Sequence, residues 1–160
     1  YPMFRTLLAA TLFATPLLAT SALAHEFKAG ELTIGHPYSF EVPASARAAA
    51  GYLTVTNAGS APDRLIGVEA EVGNPMIHLS EEKDGIARMT HVEAVEIPPG
   101  QTVTLEPGGY HVMFMGLNGT PWTVGEKIPA TLVFEKSGKV PVVFNVEVRK
   151  DGNADPHAHH

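Results

Sequence analysis

Downstream of residue 24 the chain is a succession of short apolar stretches, interrupted every few residues by Gly, Pro, Asn or Asp. Where a stretch is long enough to show a period, the period is two. Leu53 and Val55 alternate with Thr54 and Thr56, which gives a strand with one apolar and one polar face. Read this way, the pattern predicts nine strands, over residues 32–35, 49–57, 63–69, 75–80, 87–97, 102–105, 110–117, 129–135 and 140–149. Turn residues separate them at Asn57-Ala58-Gly59, Pro98-Pro99-Gly100, Pro107-Gly108-Gly109, Asn118-Gly119 and Ser137-Gly138, where Gly and Asn supply conformations that a strand lacks. No longer stretch carries a helical period. Short strands at this density predict an all-β fold, an antiparallel β-sandwich with Greek-key connections.

The two ends depart from this pattern. Arg5, an apolar run over residues 7–18 and the sequence Ser21-Ala22-Leu23-Ala24 together read as a secretory signal with its cleavage site after Ala24. The run is short and contains Pro16, which argues against a membrane anchor. Tyr1 and Pro2 precede Met3 and read as a cloning remnant. A single domain is expected over residues 25–150, without internal repeats. Residues 151–160 have no apolar anchor and carry His157, His159 and His160, which predicts a mobile, histidine-bearing tail.

Charge and composition narrow the function. The net charge of −6 becomes −7 once Arg5 leaves with the signal, and no basic run is present, so nucleic acid is not an expected partner. Nor is stable membrane insertion expected once the signal is cleaved. The chain has no cysteine. A blue-copper electron-transfer centre, a Cys-based structural zinc site and an iron–sulfur cluster are therefore excluded. No Ser-His-Asp, paired-carboxylate or phosphate-loop signature appears either.

Soft ligands take the place of thiolates. Every methionine after residue 24 lies in or beside one of three pairs, Met76-x-His78, Met89-x-His91 and His111-x-Met113, with Met115 two residues further on. On a strand, residues i and i+2 share a face, so each pair projects a thioether and an imidazole together. Neutral sulfur and nitrogen donors without a carboxylate cage suit copper, and Cu(I) above all.

The spacing His78-x10-Met89-x21-His111-x-Met113 resembles the periplasmic copper chaperone family called PCu(A)C. So do Ile97-Pro98-Pro99-Gly100, Leu105-Glu106-Pro107-Gly108-Gly109-Tyr110-His111 and Met113-Phe114-Met115-Gly116-Leu117, and the likeness extends from about Phe27 to Arg149. The resemblance implies a cupredoxin-like β-sandwich that holds Cu(I) through His78, Met89, His111 and Met113. It further implies a non-enzymatic periplasmic carrier that supplies copper for assembly of the cytochrome c oxidase copper centre. Its partners would be the copper-receiving oxidase subunit or a Sco-type thiol protein.

Other residues stay open between chemistry and packing. Met76 and Met115 read equally as core filler or as a shield around the ion. His91 shares a face with Met89 on a regular strand, yet reads as an ordinary surface histidine. His36, before Pro37, reads as a solvated turn residue, and Tyr110 and Trp122 as core or rim aromatics. Cleavage after Ala24 would make His25 the N-terminus, whose amine and imidazole together chelate Cu(II). That gives the alternative reading, a Cu(II)-binding protein or a copper monooxygenase with a histidine brace at His25. The tail residues His157, His159 and His160 are auxiliary candidates for a second, weaker Cu(II) ion.

Overall fold

A computed structural model describes residues 26–149. In chain order the strands are β1 (Phe27–Ala29), β2 (Leu32–Phe40), β3 (Ala48–Asn57), β4 (Asp63–Glu69), β5 (Asn74–Lys83) and β6 (Ile86–His91). They continue with β7 (Val95–Ile97), β8 (Thr102–Leu105), β9 (Tyr110–Met115), β10 (Lys127–Phe134) and β11 (Gly138–Glu147). The described residues contain no helix, and so none long and apolar enough to cross a membrane.

The hydrogen-bonded path runs β6-β5-β9-β3-β2-β11-β10-β4-β7, with β1 added to β2 and β8 to β3. One pairing, β11 with β2, is parallel; the others are antiparallel, so the sheet is mixed rather than purely antiparallel as expected. The path folds over on itself and its two halves share one core. Phe114 of β9 meets Phe144 of β11 edge-on, with ring centroids 5.5 Å apart. Leu53 and Val55 from β3, Val112 from β9, Leu132 from β10 and Val142 from β11 fill the space around them. Gly51 is required at the tightest point of this packing, because a Cβ there would lie 2.7 Å from the Phe144 ring.

The described residues form eleven strands rather than nine, for two physical reasons. The expected strand over 87–97 is two strands. It breaks at Val92, whose N–H donates to the Ile77 carbonyl at 2.9 Å; β6 pairs with β5, whereas β7 crosses over to pair with β4. The second addition is the three-residue β1, too short to show a period. β2 also runs past its expected end at Gly35. His36 adopts a positive φ of 42° and Pro37 cannot donate to the ladder, so the register with β3 shifts between Gly35 and Tyr38 and then resumes. This is a β-bulge. His36 is exposed, as expected, but it belongs to a strand and its Nε2 pairs with Glu147 Oε1 at 2.9 Å.

Asp63 fastens the opposite end of the fold. Its carboxylate accepts from the N–H groups of Arg64 (2.8 Å), Lys136 (2.9 Å) and Ser137 (3.1 Å) and from the Ser137 hydroxyl (2.6 Å), tying the start of β4 to the β10–β11 turn.

Candidate metal centre

Alternation along β5 and β9 divides their side chains into two sets. Ile77, Val112 and Phe114 enter the common core. Met76, His78, His111 and Met113 therefore lie on the other face. The register brings them together: His78 stands opposite His111, and Met76 opposite Met113. On the other flank of β5, His78 is opposite His91 and Ser80 opposite Met89. Met113 and Met89 are thus diagonal neighbours of His78 on either side, a spacing that long side chains span. The His78 and His111 ring centroids are 6.0 Å apart with planes at 78°.

Burial grades across this cluster. His111 and Met113 are 3% and 7% exposed, whereas His78 and Met89 are half-buried. Met113 has room because its partner on β3 is the small Ala50. Met89, His111 and Met113 line one cavity of about 340 Å³ together with Ala50, Tyr52 and Pro107.

The two imidazoles differ in their hydrogen bonds. His111 Nδ1 lies 3.1 Å from the Gly109 carbonyl. A carbonyl only accepts, so Nδ1 carries a proton and Nε2 is the nitrogen through which this ring could bind a metal. The same carbonyl accepts the Ser80 N–H at 3.0 Å, and a tight turn from Glu106 to Gly109 presents it. That turn is the Pro107-Gly108-Gly109 signal, so the local sequence before β9 orients the ring. On His78 it is Nδ1 that is buried and makes no hydrogen bond. Such a group is costly unless a partner arrives. Burial, and then repulsion from His111 and His91, push the His78 pKa below its ordinary value, so His78 is uncharged at neutral pH. Among the described residues no three His, Asp or Glu side chains are placed to hold a metal; an ion at this centre needs the thioethers.

The remaining candidates separate. His91 is exposed but packs edge-on against His78, with ring centroids 6.0 Å apart. Met76 faces Met113, and Met115 is 39% exposed at the end of β9. Trp122 is a core residue, stacked edge-on against Phe114 at 5.1 Å, and Tyr110 packs against the core. The aromatic beside the cluster is Tyr52, whose ring lies 6.4 Å from that of His111. Alternation places Tyr52 on the Ala50 face of β3, but only the register reveals its neighbour. The expected cleavage site after Ala24, His25 and the tail residues His157, His159 and His160 lie outside the described residues.

Residues 32–146 match the family described as "Putative lipoprotein LpqE-like". The copper-bound PCuAC domain from PmoF2 is 32% identical, and the match covers 78% of this chain and 99% of that domain at a TM-score of 0.66. The chain belongs to the PCuAC family. Its fold is the cupredoxin-like β-sandwich of PCuAC domains. The solution structure of CuI-DR1885 from Deinococcus radiodurans is also similar, with 31% identity over 84% of this chain and 88% of that one, and a TM-score of 0.60. "Putative lipoprotein Lxx21020" of Leifsonia xyli subsp. xyli is 33% identical over 100 residues, and the matched segment spans 60% of that relative's length.

Proposed function

We propose that this PCuAC protein is a copper carrier that binds one Cu(I) through His78, Met89, His111 and Met113 and passes it to a partner without covalent chemistry. The carrying observation is the register of β5 and β9, which sets His78 against His111 and places Met113 and Met89 diagonally on either side. Cu(I) is d10, tolerates irregular geometry and accepts soft neutral donors. Four neutral ligands leave its single charge uncompensated, which disfavours Cu(II). The copper-bound relatives support the choice of metal. Handover fits a site whose ligands range from buried to half-buried and so can exchange one at a time.

The proposed setting is the periplasm, after signal cleavage. The proposed recipient is the copper-receiving subunit of cytochrome c oxidase or a Sco-type thiol protein. A second, weaker Cu(II) ion is assigned to the tail residues His157, His159 and His160, and deletion of residues 155–160 should remove that event and leave Cu(I) binding intact. The main test is an anaerobic Cu(I) titration against a competing chelator. His111→Ala or Met113→Ala should weaken binding at least about 100-fold, given that outer-shell changes alone cost roughly 10–100-fold. Wild-type affinity in both variants would remove the assignment.

A further inference from the structure

We propose that His91 and His78 form an outer copper position through which Cu(I) enters and leaves the inner one; this rests on the copper reading above. His78 stands between two imidazoles. His111 is opposite it on β9 and His91 opposite it on β6. Both ring centroids are 6.0 Å from that of His78, with interplanar angles of 78° and 69°. Two imidazoles on one ion, with metal–nitrogen bonds of about 2 Å, place their centroids up to roughly 6 Å apart. Each pair therefore has a centroid separation that a two-imidazole position allows, and the two pairs share His78. The three rings form a row rather than a ring around one point, in keeping with the absence of a three-ligand His/Asp/Glu group among the described residues.

Exposure gives the row a direction. His111 and Met113 are 3% and 7% exposed, His78 and Met89 half-buried, and His91 exposed. A donor on another protein can approach His91 but not His111. His91 also lies on β6, the first strand of the sheet path, which among the described residues pairs with β5 alone. Met89 is two residues before His91 on the same face, so a thioether stays beside the ion in either position. Movement outward exchanges a His111–copper bond for a His91–copper bond. One neutral donor replaces another, so oxidation state and charge are conserved, and two-coordinate intermediates are acceptable to Cu(I).

The test uses the full chain loaded anaerobically with one Cu(I), as wild type, His91→Ala and His91→Met. Bicinchoninate competition measures equilibrium affinity, and stopped-flow transfer to bathocuproine disulfonate measures release. His91→Ala should slow transfer about tenfold while affinity changes less than about threefold, the separation of rate from equilibrium that a pathway residue produces. His91→Met, which keeps a soft donor, should recover a rate within about threefold of wild type. Circular dichroism confirms that both variants fold. Transfer by His91→Ala at the wild-type rate overturns the outer position. A loss of affinity as large as that of His111→Ala overturns it too, by making His91 an inner ligand. If the wild type takes up no Cu(I) in the equilibrium arm, the copper reading itself fails, a result distinct from either.

Discussion

His78 and His111 face each other across β5 and β9 with ring centroids 6.0 Å apart and planes at 78°. One buried nitrogen of His78 makes no hydrogen bond, and the Gly109 carbonyl orients the His111 ring. The strand register fixes where the two rings stand, and the Gly109 carbonyl fixes the plane of the His111 ring. Preparation of this kind limits the reorganisation that binding would otherwise cost.

The methionines should divide by position. Met76 lies opposite Met113 and Met115 is exposed at the end of the strand. Met76→Leu and Met115→Leu, which nearly conserve volume, should leave Cu(I) affinity within about threefold of wild type. Met89→Leu removes a proposed ligand and should cost at least about 30-fold, within the range that even outer-shell changes reach. Chelator competition on the three variants reads this directly.

Copper binding should depend on pH through the imidazoles alone, because a thioether does not titrate. The His78 pKa is pushed down by burial and then by His111 and His91. With its pKa below the ordinary histidine value, His78 is uncharged at neutral pH, so protons should displace copper from it only on acidification. Cu(I) affinity measured from pH 8 downward should be flat and then fall. A decline already present between pH 8 and pH 7 would contradict the depressed value.

Stability at low pH should depend on Asp63. Burial pushes its pKa up, but the hydrogen bonds from Ser137, Lys136 and Arg64 outweigh that and hold it below the ordinary carboxylate value. A depressed folded-state pKa means that the unfolded chain takes up the proton first. The stabilisation is complete above about pH 4 and is lost as pH falls through the folded value. Asp63→Asn should lower stability at pH 7 by about 1.5–3 kcal/mol and flatten the acid limb, as denaturant melts at pH 7 and pH 3 would show.

Gly51 tests the core behind the centre. A Cβ at this position meets the Phe144 ring at 2.7 Å and Phe114 at 3.1 Å. Gly51→Ala should cost about 1–3 kcal/mol through overpacking, visible as a lower Tm of the metal-free protein. The proposed donors lie on the other face of the sheet, so Cu(I)-loaded protein should keep the same ligands by spectroscopy.

Much of this was legible in the residues because alternation has a period of two. Leu53/Val55, Ile77/His78 and His111/Val112/Met113 announce their faces without any tertiary knowledge. The neighbourhood of the site stood out because methionine and histidine are concentrated in three short pairs, and the resemblance to the PCu(A)C spacing picked His78, Met89, His111 and Met113 from those six residues. What alternation cannot supply is register. That His78 opposes His111 rather than a neighbour two residues away, and that Tyr52 approaches His111, depends on which strands pair and in what phase. The break at Val92 was hidden for a related reason: the strand-like composition of 87–97 continues while its partner changes from β5 to β4. The bulge at His36 read as a strand end, since Pro there more often terminates a ladder than bends it. The parallel contact of β11 with β2 leaves no local trace at all.

The central claim, one ion held by sulfur and nitrogen from three strands, is tested most directly by X-ray absorption at the copper edge of the anaerobically loaded protein. The account predicts a cuprous edge and a shell of two sulfur and two nitrogen neighbours, with one sulfur lost in Met113→Ala. A shell of nitrogen and oxygen alone, unchanged in Met89→Ala and Met113→Ala, would contradict it.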